Sequence, residues 1–215
     1  MRIVTAKEFQ DWLSHGEVLE KDSHGAKVIR LTDGKLLKIF RSRRLPLLAR
    51  LRPDAARFDD RAKRLQALGI LTPAICETCW IDRSKLISAC LYEPLTGLPL
   101  DRMFHSDREQ FDLLLPKLAT YIHQLHQHGI YFRSLHLGNI LHTPGGGFGL
   151  IDFLDIRFKG RPLGRTLIRR NFQHLRNYLQ RRKVQNFPWD ELMAAYKAAR
   201  NRPDFSTTYT PTARN

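Results

Sequence analysis

The sequence predicts an α+β protein of two lobes, strand-rich up to residue 92 and helical beyond it. Three observations carry this. Before residue 92 the apolar residues come in short runs divided by turn signals, as half-buried strands require. After residue 100 they recur at spacings of three and four, the mark of helices with one buried stripe. Between the regimes lies Glu93-Pro94-Leu95-Thr96-Gly97, where Pro and Gly break both patterns. The expected boundaries are a first lobe over 1–92, a hinge over 93–97 beside a cleft, a helical lobe over 98–202 and a frayed polar tail over 203–215.

Taken in order, the first 20 residues read as an amphipathic helix with Phe9, Trp12 and Leu13 on one face. Residues 26–40 read as two strands, joined at Asp33-Gly34 because both residues tolerate the positive φ of a tight turn. Ala55, Phe58, Ala62, Leu65 and Leu68 mark a helix over 54–68 that Gly69 stops. Residues 74–92 supply two more strands. The longest helix spans 107–128, with Phe111, Leu114, Leu115, Leu118, Ile122 and Leu125 as its buried stripe, and Gly129 ends it. Ile140-Leu141 and Leu150-Ile151 flank Pro144-Gly145-Gly146-Gly147, a hairpin pattern. Residues 164–182 and 189–200 are two further helices.

The 215 residues are 42% hydrophobic and 27% charged, which excludes a disordered chain. Lys and Arg number 36 against 21 Asp and Glu, a formal charge of +15 that calls for a polyanionic partner. Three Cys exclude a disulfide-rich scaffold, and Cys76-x-x-Cys79 lacks the second pair of a zinc site. Charges interrupt the N-terminal segment where a signal peptide needs an apolar core, and no apolar run is long enough to span a bilayer. The expectation is a cytoplasmic protein with peripheral contact on the inner membrane.

Three stretches carry the chemistry. Lys38 lies within the strand Leu36-Leu37-Lys38-Ile39-Phe40, where its stem can be buried and its ammonium aimed into a cleft. The segment Gly129 to Asn139 follows the long helix, and Asp152 ends the strand Leu150-Ile151. Asn139 and Asp152 stand 13 residues apart across the Gly-rich turn, so a hairpin brings both to one mouth. An amide oxygen and a carboxylate there suit Mg²⁺, which keeps waters and phosphate oxygens as its other ligands. Asp155 reads either as a solvent-facing cap or as a second ligand or base.

This order resembles the protein-kinase-like fold: a strand Lys, a loop of the form D-x-x-x-x-N, then an Asp-Phe pair. The local words are most similar to the bacterial lipopolysaccharide core kinases that phosphorylate Kdo or heptose. The matching words are Leu125-His126-Gln127-His128-Gly129-Ile130, Tyr131-Phe132-Arg133-Ser134 and Leu150 to Phe153. The loop also resembles that of aminoglycoside phosphotransferases, which carry a His where His136 stands. The resemblance covers roughly residues 20–185. It implies a compact two-lobed fold and a kinase using ATP and Mg²⁺. Lys38, Glu93 and Asp59 or Asp60 become candidate cofactor-binding residues, and Asn139 and Asp152 the metal ligands. The implied acceptor is an anionic glycolipid or phosphorylated sugar.

Two departures stand out. The catalytic Asp position, five before Asn139, holds Ser134, and the preceding His position holds Phe132. Ser134 and His136 are therefore the candidate catalytic residues, His136 as base because its ordinary pKa lies near neutrality. The helix Glu expected to pair with Lys38 falls on Phe58, leaving Asp59 or Asp60 as partner. The alternatives are a nucleotide-binding pseudokinase of envelope assembly and an RNA-associated kinase of the RIO type.

His123, His126 and His128 read as a polar helix face. Between Ile156 and Trp189 there are ten Lys or Arg residues and no acid, and Arg41, Arg43, Arg44, Arg50 and Arg52 form a second basic stretch. Both fit an anionic lipid surface or lipid phosphates, and less well nucleic acid, since the tail aromatics Phe172, Tyr178, Phe187 and Trp189 are spaced as core positions.

Overall fold

The computed structural model describes residues 1–42 and 44–201. Arg43 and the tail expected to fray over 203–215 lie outside the described residues. The chain divides into two units: Met1–Ala67 with Leu71–Thr96, and Leu68–Ile70 with the chain from Gly97 onward. Mixed α+β content, strands concentrated in the first unit and helices in the second, is the architecture the pattern predicts.

The first unit runs β1 (Arg2–Ile3), α1 (Ala6–His15), β2 (Glu17–Asp22), β3 (Gly25–Arg30), β4 (Leu36–Arg41), α2 (Pro46–Leu51), α3 (Asp54–Ala67), β5 (Ala74–Asp82) and β6 (Ile87–Glu93). Its six strands form one sheet, ordered β1-β5-β6-β4-β3-β2, with β1 parallel to β5 and every other pair antiparallel. The two-residue period of a strand decides what each face carries. Val4, Ile29, Leu37, Ile39, Cys79 and Ala89 form a core on one face, covered by Phe9, Trp12 and Leu13 of α1. Lys38 and Phe40 alternate with Leu37 and Ile39 and so belong to the other face, where the Phe58 ring of α3 packs at a tilt against Phe40 and Tyr92.

The N-terminal helix is shorter than the periodicity suggests. It starts at the Thr5 cap, whose hydroxyl accepts from the Glu8 N–H, and stops at Gly16. A Cβ at Gly16 would lie 2.5 Å from both Ile29 Cγ2 and the Trp12 carbonyl. Residues 17–20, expected as helix, belong instead to the edge strand β2, because ladder bonds to β3 satisfy their backbone. The turn at Asp33-Gly34 is present, with Gly34 at φ 82°. Helix α2 was not legible: its Leu47, Leu48 and Leu51, and Leu45 just before it, are exposed, so they follow no buried stripe.

The second unit runs β7 (Leu98–Pro99), α4 (Leu100–Ser106), α5 (Arg108–Gln127), β8 (Ile130–Tyr131), a 3-10 turn (Leu137–Asn139), β9 (Ile140–His142), β10 (Phe148–Leu150), β11 (Arg157–Phe158), α6 (Arg165–Arg181) and α7 (Trp189–Asn201). The predicted stripe of α5 is buried in full, and the Asp107 side chain caps it by accepting from the Gln110 N–H at 3.0 Å. Strands β10-β9-β7 form one small sheet and β11-β8 another. Among the described residues no helix is long and apolar enough to cross a membrane.

Gly129 follows α5 at φ 68°, and a Cβ there would collide with the Arg161 carbonyl oxygen. Its own carbonyl accepts from the Lys159 N–H at 2.9 Å, so the backbone cannot back away. Gly129→Ala is expected to cost at least about 2 kcal/mol, from left-handed strain plus overpacking. A urea midpoint unchanged by the substitution would refute this.

Candidate functional site

Two short ladders build the site in the second unit. Strand β8 pairs with β11, setting Tyr131 opposite Arg157. Strand β9 pairs with β10, setting Ile140 opposite Leu150. The loop over 132–139 and the segment over 151–156 are thus held at both ends and must face each other. The Ile151 N–H donates to the Asn139 carbonyl at 3.0 Å, which puts Asn139 and Asp152 at the base of one hairpin.

Asn139 is nearly buried, and its Nδ2 donates to the Ser134 carbonyl at 3.1 Å. The amide's acceptor oxygen is thereby left as its available ligand atom. Asp152 adopts φ 52°, in the left-handed region that Asp enters more readily than most non-Gly residues. Among the described residues no cluster of three His, Cys, Asp or Glu side chains can cage a metal. An amide plus one carboxylate fits Mg²⁺ carried in with phosphate oxygens and water, not a metal bound by protein alone.

Ser134 Oγ donates to Asp155 Oδ2 at 2.6 Å. The solvent-facing reading of Asp155 is overturned: the residue is half-buried, and its Oδ1 is buried with no partner among the described residues. Burial raises the Asp155 pKa above the usual carboxylate value, and neighbouring Asp152 adds to this. The Ser134 hydrogen bond and the Arg133 charge oppose it. The Ser at the usual Asp position thus has a carboxylate directly behind it. The sequence signal was present, an acid three residues past Asp152, but nothing in the spacing says which way it faces.

His136 is stacked on Tyr178, with ring centroids 4.2 Å apart and planes 7° from parallel. Its Nδ1 is buried without a partner among the described residues. Burial lowers its pKa, with Asp101 and Asp152 pulling the other way, so the neutral ring is favoured. A ring clamped in this manner is placed to pack the loop.

The loop is anchored from behind by a network that sequence reasoning missed. Asn171 of α6, fully buried, donates from Nδ2 to the Phe132 carbonyl. Its Oδ1 lies 3.1 Å from His126 Nε2, and His126 Nδ1 lies 2.7 Å from the Tyr196 hydroxyl. An amide oxygen only accepts, so Nε2 carries the proton and Nδ1 accepts from Tyr196. Burial lowers the His126 pKa to about 4. His126 is therefore no part of a polar helix face. It ties α5, α6 and α7 to the residue that occupies the expected His position.

Beside the loop a cavity of about 370 Å³ is lined by Tyr131, Arg133, Arg157, Arg170, Gln173, His174 and Asn177. The Tyr131 hydroxyl and His174 Nε2 are 2.9 Å apart. Burial lowers the His174 pKa, and Arg133 and Arg170 add to the effect. Three guanidinium groups thus line one cavity, the donor chemistry that pairs with carboxylate or phosphate.

The remaining candidates belong to the first unit. Lys38 is buried on β4, its ammonium 5.3 Å from the Phe58 ring centroid and 5.9 Å from that of Phe40. Phe58 of helix α3 thus lays an aromatic ring beside the Lys38 ammonium. The Asp59 carboxylate is engaged by Lys63 at 2.8 Å and that of Asp60 by Arg52 at 2.7 Å. Glu93 ends β6, exposed, opposite Ala74. The basic stretch around Arg41 is largely spoken for: Arg41 binds Asp22 and the Ala26 carbonyl, and Arg44 the Arg52 carbonyl. Cys79 and Cys90 are buried, with thiol pKa values pushed up to about 11 and about 12, and Cys76 is exposed.

No protein-family model and no curated protein matches the sequence. Among solved structures the chain is similar to WbdD, with a TM-score of 0.50 and 16% identity, over 82% of this chain and 43% of that one. At that identity the likeness shows the fold alone, a mixed α+β fold. The chain spans less than half the length of the WbdD chain.

Proposed function

We propose that this protein is a phosphotransferase that moves the γ-phosphoryl group of ATP to a hydroxyl of an anionic sugar in the lipopolysaccharide core. The observation that carries this is the convergence of Asn139, Asp152, Ser134 and Asp155 on one pair of facing loops. The lipopolysaccharide acceptor rests on the sequence resemblance, and the Arg133, Arg157 and Arg170 cavity supports an acceptor carrying negative charge.

Asn139 and Asp152 would hold Mg²⁺, which supplies charge neutralisation on the phosphate oxygens. Lys38 would hold the α- and β-phosphates. The acceptor hydroxyl would give its proton to Ser134 Oγ as Ser134 passes its own to Asp155. The acceptor oxygen then bonds to the γ-phosphorus, and the bond to the β–γ bridging oxygen breaks, its electron pair leaving with ADP. The transition state of such a transfer is loose, so positioning and charge do most of the work. We assign the proton to Asp155 through Ser134 and not to His136, because the His136 ring is stacked and its Nδ1 enclosed.

The test is a thermal-shift titration with Mg²⁺ and ATP, beside phosphate transfer to core oligosaccharide. Asp152→Asn and Asn139→Ala are each expected to weaken Mg²⁺-dependent ATP binding by about 10-fold or more, the loss of one charge-assisted ligand. Stabilisation by ATP that ignores both substitutions would overturn the reading. Binding without transfer to any core sugar would leave a pseudokinase.

A further inference from the structure

Helices α6 and α7 bound an open groove of about 390 Å³ that the proposed chemistry does not use. Its floor is apolar. Phe172 is buried edge-on against Tyr196, with centroids 4.8 Å apart, and against Trp189, with centroids 6.1 Å apart. Ile168, Trp189 and Met193 extend this floor and remain partly exposed.

The rim is cationic: Arg165, Arg169, Arg176, Lys197 and Arg200 line the groove, and no acidic residue does. None of the five is ion-paired among the described residues. The Arg176 guanidinium is 4.5 Å from the Trp189 ring centroid, which fixes one cation at the edge of the floor. Five like charges around exposed aromatic and aliphatic surface repel one another, so the arrangement works against the fold unless an anion meets it. A solvated helix face mixes its signs, and α6 carries no acid at all.

The ligand must therefore be anionic at the rim and apolar at the floor. Nucleic acid offers phosphates without alkyl chain, and a peptide helix of apolar face offers chain without the charge. We propose that the α6–α7 groove docks the protein on a membrane by binding an anionic phospholipid, phosphate against the Arg and Lys rim and the first acyl methylenes on Trp189, Ile168 and Met193. Trp at such a boundary is suited to headgroup depth, with its ring in the apolar layer and its N–H in the polar one. The inference stands whether or not the protein transfers phosphate.

The experiment is co-sedimentation of the full chain with phosphatidylcholine vesicles, with and without phosphatidylglycerol, read together with tryptophan fluorescence. The protein is expected on the phosphatidylglycerol vesicles alone, with a blue shift that Trp189→Phe removes. Each rim cation removed is expected to weaken partition by about fivefold, so Arg165, Arg169 and Arg200 changed together to Ala should cost about a hundredfold. These side chains are exposed, and an unchanged melting temperature would establish that the variant folds. Met193→Asp is expected to weaken partition with the rim intact.

A control removes the same charge elsewhere, by Lys7→Ala, Arg83→Ala and Lys85→Ala, all exposed in the first unit. If the control loses as much as the rim variant, bulk charge carries the binding and the groove does not. Failure to distinguish the two vesicle types overturns the proposal. So does displacement by glycerol phosphate as effective as by lipid, or loss of RNA binding in the rim variant with vesicle binding unchanged.

Discussion

Asp155→Asn is expected to slow phosphate transfer by about 10²–10⁴-fold, the usual worth of a proton acceptor, while the affinity for ATP stays the same. Ser134→Ala is expected to cost less, about 10-fold, because the carboxylate remains and a water can bridge the space left by the hydroxyl. The distinguishing readout is stability. The folded-state pKa of Asp155 is raised, mainly by burial, so ionising the carboxylate opposes folding. That penalty is absent below the ordinary carboxylate pKa and complete above the raised one. An Asn side chain carries no charge, so its advantage over Asp should grow as pH rises through this window. A D155N enzyme that is slow but at least as stable at neutral pH identifies a carboxylate kept for chemistry. An equally active variant would end the assignment of Asp155 as base.

The second large effect concerns acid. His126 has a folded-state pKa of about 4 against an ordinary value near 6.5, the main cause being burial. Its neutral form is the one that accepts from Tyr196 and donates to Asn171. A depressed His pKa stabilises the fold fully above 6.5, and the benefit is lost as pH falls toward 4. The shift corresponds to about 3 kcal/mol over that range, a large part of the stability of an ordinary domain. His126→Gln keeps a donor and an acceptor but cannot take up the proton. Urea midpoints measured from pH 7 to pH 4 should fall more steeply for the wild type than for this variant. Parallel curves would mean that other groups govern acid unfolding.

Both effects depend on residues that the sequence places poorly. The helix stripe Phe111 to Leu125 was legible because α5 is long and buries one face throughout. The hairpin carrying Asn139 and Asp152 was legible because Gly-rich turns between apolar runs fix a register. Helix α2 was not, since its leucines are exposed, and α4 is only seven residues long. His126 stood among three His residues of similar spacing, and only burial separates it from His128. Asp59 and Asp60 looked alike as partners for Lys38. Their side chains meet Lys63 and Arg52 in the structure, and the Phe58 ring lies beside the Lys38 ammonium.

The sequence by itself determined the class of fold, the order of most of its elements, the excess of positive charge and the hairpin that carries Asn139 and Asp152. All of these follow from period, turn chemistry and composition, which are local properties of the chain. Only the tertiary structure decided that Asp155 backs Ser134, that His126 is a buried strut and that five cations ring an apolar groove. The physical reason is that these features depend on which way a side chain faces and what is packed behind it. Strands β8 and β11 set the first, and helices α5, α6 and α7 set the others, through contacts between residues distant in sequence.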